Sequence, residues 1–152
     1  MIPWPLEWSL HHRFSGLEFD WLARDRDGHV AYFASGGCGP MPPAAAEHSG
    51  SLELFELATS HPVWCEAVPQ AVPLDGDYDD WKQIARRGIF AFDWRRDQEV
   101  YVLLYRPSRL VPAAELFEAT FLVAAGAALF GGSWMSASKL RPTQSLGRGG
   151  NG

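Results

Sequence analysis

Four residues of this chain carry the donor atoms of a tetrahedral zinc site: Cys38, His48, His61 and Cys65, spaced Cys-x9-His-x12-His-x3-Cys. Two thiolates and two imidazoles would fill the coordination shell. Strong zinc patterns place their ligands roughly two to five residues apart at both ends. Here only His61 and Cys65 are that close, and two buried thiols with two surface histidines is the plainer reading. Cys38 also sits in Ser35-Gly-Gly-Cys-Gly-Pro40, a flexible setting for a reactive thiol. Such a nucleophile needs a histidine base and a third group to orient it. His11, His12 or His48 could supply the base, but no cysteine-protease sequence surrounds Cys38. The glycines fit a sharp exit from a hairpin better than a catalytic setting. A small metal- or thiol-dependent enzyme using Cys38, His48, His61 and Cys65 is the alternative reading that these residues offer.

The second concentration of chemistry is Asp75-Gly-Asp-Tyr-Asp-Asp80, with carboxylates at alternating positions. A calcium loop of this kind requires Gly at its sixth position and an acidic residue at its twelfth. Counted from Asp75 these are Asp80 and Arg86, so the calcium reading fails. Two uses remain for the run: a solvated cap that offsets a helix N-terminal dipole, or an acidic contact patch for a basic partner. Seven tryptophans add a third feature. Trp21, Trp81 and Trp94 fall in predicted elements and are expected in the core. Trp4, Trp8 and Trp64 lie in Pro-flanked, irregular segments, where they are either buried as a lid or exposed as interface anchors, a role in which Trp is enriched. No nucleophile elbow, phosphate loop, dinucleotide fingerprint or His-Glu-x-x-His helix is present.

These residues must be held by one domain, because 152 residues is the size of a single core. An apolar fraction of 47% against 20% charged excludes disorder of the whole chain. A net charge of −5 with scattered basic residues argues against nucleic acid, which needs clustered Lys and Arg. The N-terminus has no basic region followed by an apolar run, so it does not read as a secretory signal. Two cysteines are too few for a disulfide framework at this length. A cytoplasmic location with free thiols follows as the expectation. Ala119 to Ser138 is uncharged and long enough to span a bilayer, but it is diluted by Ala, Gly, Ser and Thr and broken by Gly131-Gly132. A buried helix followed by a strand is expected there, with no membrane span.

The positioning elements can be read in order. Leu17 to Ala23 and His29 to Ala34 alternate apolar and polar residues around Asp27-Gly28, a pair suited to the positive φ of a tight hairpin turn. Gly88 to Trp94 and Glu99 to Tyr105 form a second such pair around Arg95–Gln98, and Pro107 closes it. Both carry Phe-Asp-Trp, at Phe19–Trp21 and Phe92–Trp94. Helices are predicted over Leu52–Ala58 capped by Ser49 or Ser51, and over Trp81–Arg87 capped by Asp79 or Asp80 and stopped by Gly88. A third begins after Pro112 and continues through Ala119 into the apolar stretch. Gly36–Pro43 and Glu66–Tyr78 read as loops. The expected class is α+β: an antiparallel sheet built from two β-hairpins with helices packed on one face. Residues 1–141 form that single domain, and 142–152 read as a disordered tail.

The stretch Phe19 to Pro40, together with Tyr78-Asp-Asp-Trp81 and Ala85-Arg-Arg-Gly-Ile-Phe-Ala-Phe-Asp-Trp94, resembles small bacterial immunity-protein domains of toxin–antitoxin competition systems. The resemblance covers about half the chain and brings no catalytic motif. It implies a cytoplasmic inhibitor that binds and blocks one cognate toxin. With the acidic balance, it leads to a non-enzymatic protein-binding domain, without cofactor or metal. Its expected contact residues are Asp75, Asp77, Asp79, Asp80, Trp64, Trp4 and Trp8. The expected partner is a protein, in the narrower reading a basic toxin domain, with no nucleic acid and no membrane; the oligomeric state is left open.

Overall fold

The computed structural model describes residues 2–3, 20–36, 39–46, 48, 52–71, 78–110 and 113–141. Among them run seven strands: β1 (Ile2–Pro3), β2 (Trp21–Arg24), β3 (Val30–Ala34), β4 (Ala67–Pro69), β5 (Phe90–Arg95), β6 (Val100–Pro107) and β7 (Lys139–Arg141). The helices are α1 (Pro43–Ala46), α2 (Leu52–Thr59), α3 (Asp79–Ala85), α4 (Ala113–Leu116) and α5 (Ala119–Gly126), with a 3-10 turn at Trp134–Ser136. The class is α+β. The sheet order is β1-β7-β6-β5-β3-β2, with β4 also paired to β6.

The expected all-antiparallel arrangement is corrected to a mixed sheet. β2 with β3, and β5 with β6, pair antiparallel. β3 and β5, however, lie side by side in parallel, and so do β1 and β7. Parallel neighbours need a long crossover, and here α1, α2, β4 and α3 supply it between β3 and β5.

Alternation along the strands gives the sheet two apolar faces. Leu22, Val30, Tyr32, Ala91, Val100, Val102 and Leu104 meet Leu54, Ile84, Phe117 and Phe121 from the helical layer. The opposite face carries Trp21, Phe33, Phe92, Tyr101 and Leu103. It is not open, as one-sided helix packing would leave it: Met41, Ala45, Phe130, Trp134 and Leu140 cover it. A bulge sets the phase, because Ala91 pairs with Tyr105 while Phe92 pairs with Leu103. The extra residue puts Leu104 and Tyr105 together on the helical side.

The second face is an aromatic stack. Trp21 lies on Phe33 with ring centroids 4.0 Å apart, and Phe33 lies on Phe92 at 4.7 Å, one ring from each of three adjoining strands. Tyr101 closes the row by accepting a hydrogen bond from Trp21 Nε1 (3.2 Å) and donating to the Pro40 carbonyl (2.8 Å). Gly39 must be glycine, since a Cβ there would lie 2.5 Å from the Tyr101 hydroxyl.

Local expectations fared unevenly. Gly28 takes φ +84° in the first turn, and Gly88 takes +92° after α3. Asp79 and Asp80 are not caps but lie inside the first turn of α3, whose N-cap is Tyr78. The expected continuous helix after Pro112 is broken, because the Glu118 carboxylate accepts from the amides of Thr120 and Phe121 and starts α5 afresh. Between α5 and Ser138 there is no strand, only a bridge between Leu129 and Arg24, and the next strand is β7. Trp21 is fully buried as expected, whereas Trp81 and Trp94 are half-buried. Ser49, Ser51, Pro112 and the 142–152 segment lie outside the described residues. No helix among the described residues is long and apolar enough to cross a membrane.

The turn of the first hairpin holds the buried carboxylate of Asp25. One oxygen accepts from the amides of Asp27 (3.0 Å) and His29 (2.9 Å), the other from the amide of Trp134 (2.9 Å). Asp25→Ala leaves three amides without their acceptor, and a loss of about 3 kcal/mol or more is expected in urea unfolding. Asp25→Asn keeps an acceptor for the turn but sets an amide NH2 against the Trp134 N–H. It should cost less, and hydrogen exchange should show the loss concentrated at Trp134.

Candidate interaction surface

The surface that gathers most of the unexplained side chains is built where the chain leaves α2. His61 turns inward there and is buried among Phe117 and Phe121. Its Nδ1 lies 3.1 Å from the Ala58 carbonyl, and its Nε2 receives the Glu118 amide at 3.2 Å. A carbonyl only accepts and an amide only donates, so the ring carries its proton on Nδ1. His61 thus fastens the end of α2 to the start of α5.

Three residues further on, Trp64 is positioned from three sides. The amides of Trp64 (2.7 Å) and Cys65 (3.0 Å) both donate to the carbonyl of Arg86, the C-cap of α3. The indole Nε1 donates to the Arg109 carbonyl at 3.3 Å, and the Arg109 guanidinium lies 4.1 Å from the ring centroid. Glu66 and Ser108 lock the two loops reciprocally, with Ser108 N donating to Glu66 O and Glu66 N to Ser108 Oγ, both at 3.0 Å. Gly88 makes room beneath, since a Cβ there would lie 2.8 Å from Leu116 and 3.3 Å from Trp64. Next to Trp64 along the chain, Pro62 and Val63 are exposed, and so is Leu110 beside Arg109. The result is an aromatic–guanidinium plate held by both loops.

The other expected contact residues separate. Asp79 and Asp80 are exposed on the first turn of α3. Arg86 and Arg87 stand at the opposite end, so both ends of the helix dipole are offset. Trp64 docks at this basic end. A helix of seven residues is about 10 Å long, so Asp79, Asp80 and Trp64 mark the two ends of one short element. Asp75, Asp77, Trp4 and Trp8 lie outside the described residues.

The sulfur–nitrogen set is not gathered either. His61 commits both ring nitrogens to the backbone, and Cys65 Sγ points to the Ala85 carbonyl at 3.5 Å. His48 is exposed, and Cys38 lies outside the described residues. No group of three or more metal-ligating side chains occurs among the described residues.

One group escaped the sequence reading. The repeated Phe-Asp-Trp sets an aspartate on either side of β3, on the helical face. Tyr32 donates to Asp20 at 2.6 Å. Burial first, then the charge of Asp20, pushes this phenol far above its ordinary range. Asp93 lies 3.7 Å from Arg95 Nε. Burial pushes its carboxyl up to about 6, against the pull of Arg95. The signal was the repeat itself: an Asp between two large aromatics must face the layer opposite to theirs.

Comparison with known proteins assigns nothing to this surface: no protein-family model, no curated protein and no solved structure matches the chain.

The raised Asp93 carboxyl makes stability depend on pH. The folded state holds this proton more tightly than the unfolded chain, so the contribution of Asp93 to stability is fully present below pH 3.8 and is lost as pH rises through about 6. The loss is about 1–2 kcal/mol once residual contact with water is allowed for. Urea midpoints between pH 4 and 7 should fall in the wild type and run flatter in Asp93→Asn. Equal slopes would refute the assignment.

Proposed function

We propose that this chain is a non-enzymatic protein-binding domain whose anchor is Trp64 under the Arg109 guanidinium. The observation that carries this reading is a large aromatic side chain left half-exposed yet fixed from three sides. Trp and Arg dominate the energetic centres of protein interfaces. A side chain already immobilised in the free protein loses little entropy on binding. Val63 and Leu110, neighbours in sequence of Trp64 and Arg109, are exposed apolar side chains available to a partner.

The narrower reading makes the domain a cytoplasmic, immunity-type inhibitor that blocks a cognate toxin. Asp79 and Asp80 would meet basic groups of the toxin, with Asp75 and Asp77 from the same acidic run. The net charge of −5 supports attraction of a basic partner. Trp64 would supply the affinity and the carboxylates the rate and orientation of approach.

The test is affinity capture from host lysate with wild-type, Trp64→Ala, Arg109→Ala and Asp79→Asn/Asp80→Asn proteins, each verified by its melting temperature. One stoichiometric polypeptide should be retained by the wild type. Trp64→Ala should weaken it by about 30-fold, the mark of a residue contributing roughly 2 kcal/mol. The double Asn variant should slow association and flatten its salt dependence. Undiminished binding by Trp64→Ala would remove the anchor, and an unchanged salt dependence would remove the acidic mechanism.

A further inference from the structure

We propose that the groove between α2 and α5 is a docking site for a basic amphipathic helix of a partner protein. The groove encloses about 620 Å³ and its walls are Leu54 and Leu57 from α2 and Val123 and Ala124 from α5. Its polar lining is Glu53, Thr120 and His48. α5 reads Ala-Thr-Phe-Leu-Val-Ala-Ala-Gly, without a charge anywhere around its circumference. Such a helix is ordinarily covered on all sides. Here Phe121, Ala124 and Ala125 face the core, while Val123 is left 63% exposed.

The rim decides which occupant fits. Glu53 lines the groove from α2, and Glu118, whose carboxylate accepts from the amide of the lining residue Thr120, is exposed at the head of α5. Neither α2 nor α5 contains Lys or Arg. Glu118 is held in place by the two amides it caps. An apolar channel between glutamates complements a helix whose apolar stripe is flanked by Lys or Arg. The same rim repels a second copy of this chain and an anionic bilayer. At eight residues each, α2 and α5 offer about 12 Å of channel, room for roughly two helical turns. This surface is distinct from the Trp64 plate and stands whether or not Trp64 binds anything.

The probe is a fluorescein-labelled Leu/Lys amphipathic helical peptide, compared with its Leu/Glu counterpart by anisotropy at physiological salt. The Leu/Lys peptide should bind saturably and the Leu/Glu peptide should not. Val123→Asp is the deciding variant. It adds negative charge at an exposed position, so attraction by acidity alone would tighten binding, whereas docking in the groove should weaken it by about tenfold. Glu53→Lys, on the opposite wall, should weaken it similarly. Failure of the Leu/Lys peptide to bind, or binding to Val123→Asp as tight as to wild type, overturns the proposal. So does a wild-type dimer in sedimentation that Val123→Asp disperses, because the occupant is then a second copy.

Discussion

A carboxylate can be buried when hydrogen-bond donors replace the water it leaves, and the Asp25 side chain is buried on that condition. It receives three backbone amides, two from its own turn and one from Trp134, 109 residues away. The turn would fold without the third bond, but the third bond brings the C-terminal segment back. Trp134 then returns a hydrogen bond from its indole to the His29 carbonyl at 2.8 Å and packs edge-on against Phe33 and Phe92. On the way, the Arg24 amide donates to the Ala128 carbonyl and the Arg24 carbonyl accepts from the Phe130 amide, at the free edge of β2. An exposed strand edge is a template for unwanted pairing, and here the returning segment occupies it at Arg24. Burial of one carboxylate thus helps to close one face of the sheet and occupies the end of one edge.

The features legible in sequence were those set by neighbouring residues. The Asp27-Gly28 turn, the alternation in β2, β3, β5 and β6, the glycine stop after α3 and the body of α2 each rest on interactions within a few positions. What escaped depended on partners far along the chain. The parallel seam between β3 and β5 is fixed by how the crossover packs, and nothing local to either strand encodes it. Glu118 was read as one more position in a long apolar helix. Its carboxylate turns back onto two amides, and its own amide finds His61, which a linear reading cannot foresee. Trp64 was singled out by its proline-flanked setting, but Arg109 stands 45 positions away and only the fold brings it over the ring. The zinc-like set failed for the same reason in reverse, since the right atoms occur but His61 has backbone partners on both nitrogens.

The two layers of the molecule divide the work. The aromatic face is stacked and covered, which suits a rigid support. The helical layer holds the irregularities: a short α3 with opposite charges at its ends, a broken α4–α5 pair and a tryptophan pinned between loops. Short helices contribute little intrinsic stability. They persist here because His61, Glu118 and Gly88 fix their ends from outside. Interaction surfaces are commonly carried on such segments when a stiff scaffold positions them.

The charges along this layer bear on how a partner would be chosen. Arg109 over Trp64 favours an electron-rich or acidic contact, while Glu53 and Glu118 beside the α2–α5 groove favour a basic one. On the binding reading, a partner matching both must carry the two signs in one order and at one spacing. The same partner turned end for end would set like charges together, which disfavours the wrong orientation. A uniformly acidic surface would attract any basic protein at comparable rates. The division of sign along the helices therefore suits selection of a single partner better than general electrostatic capture.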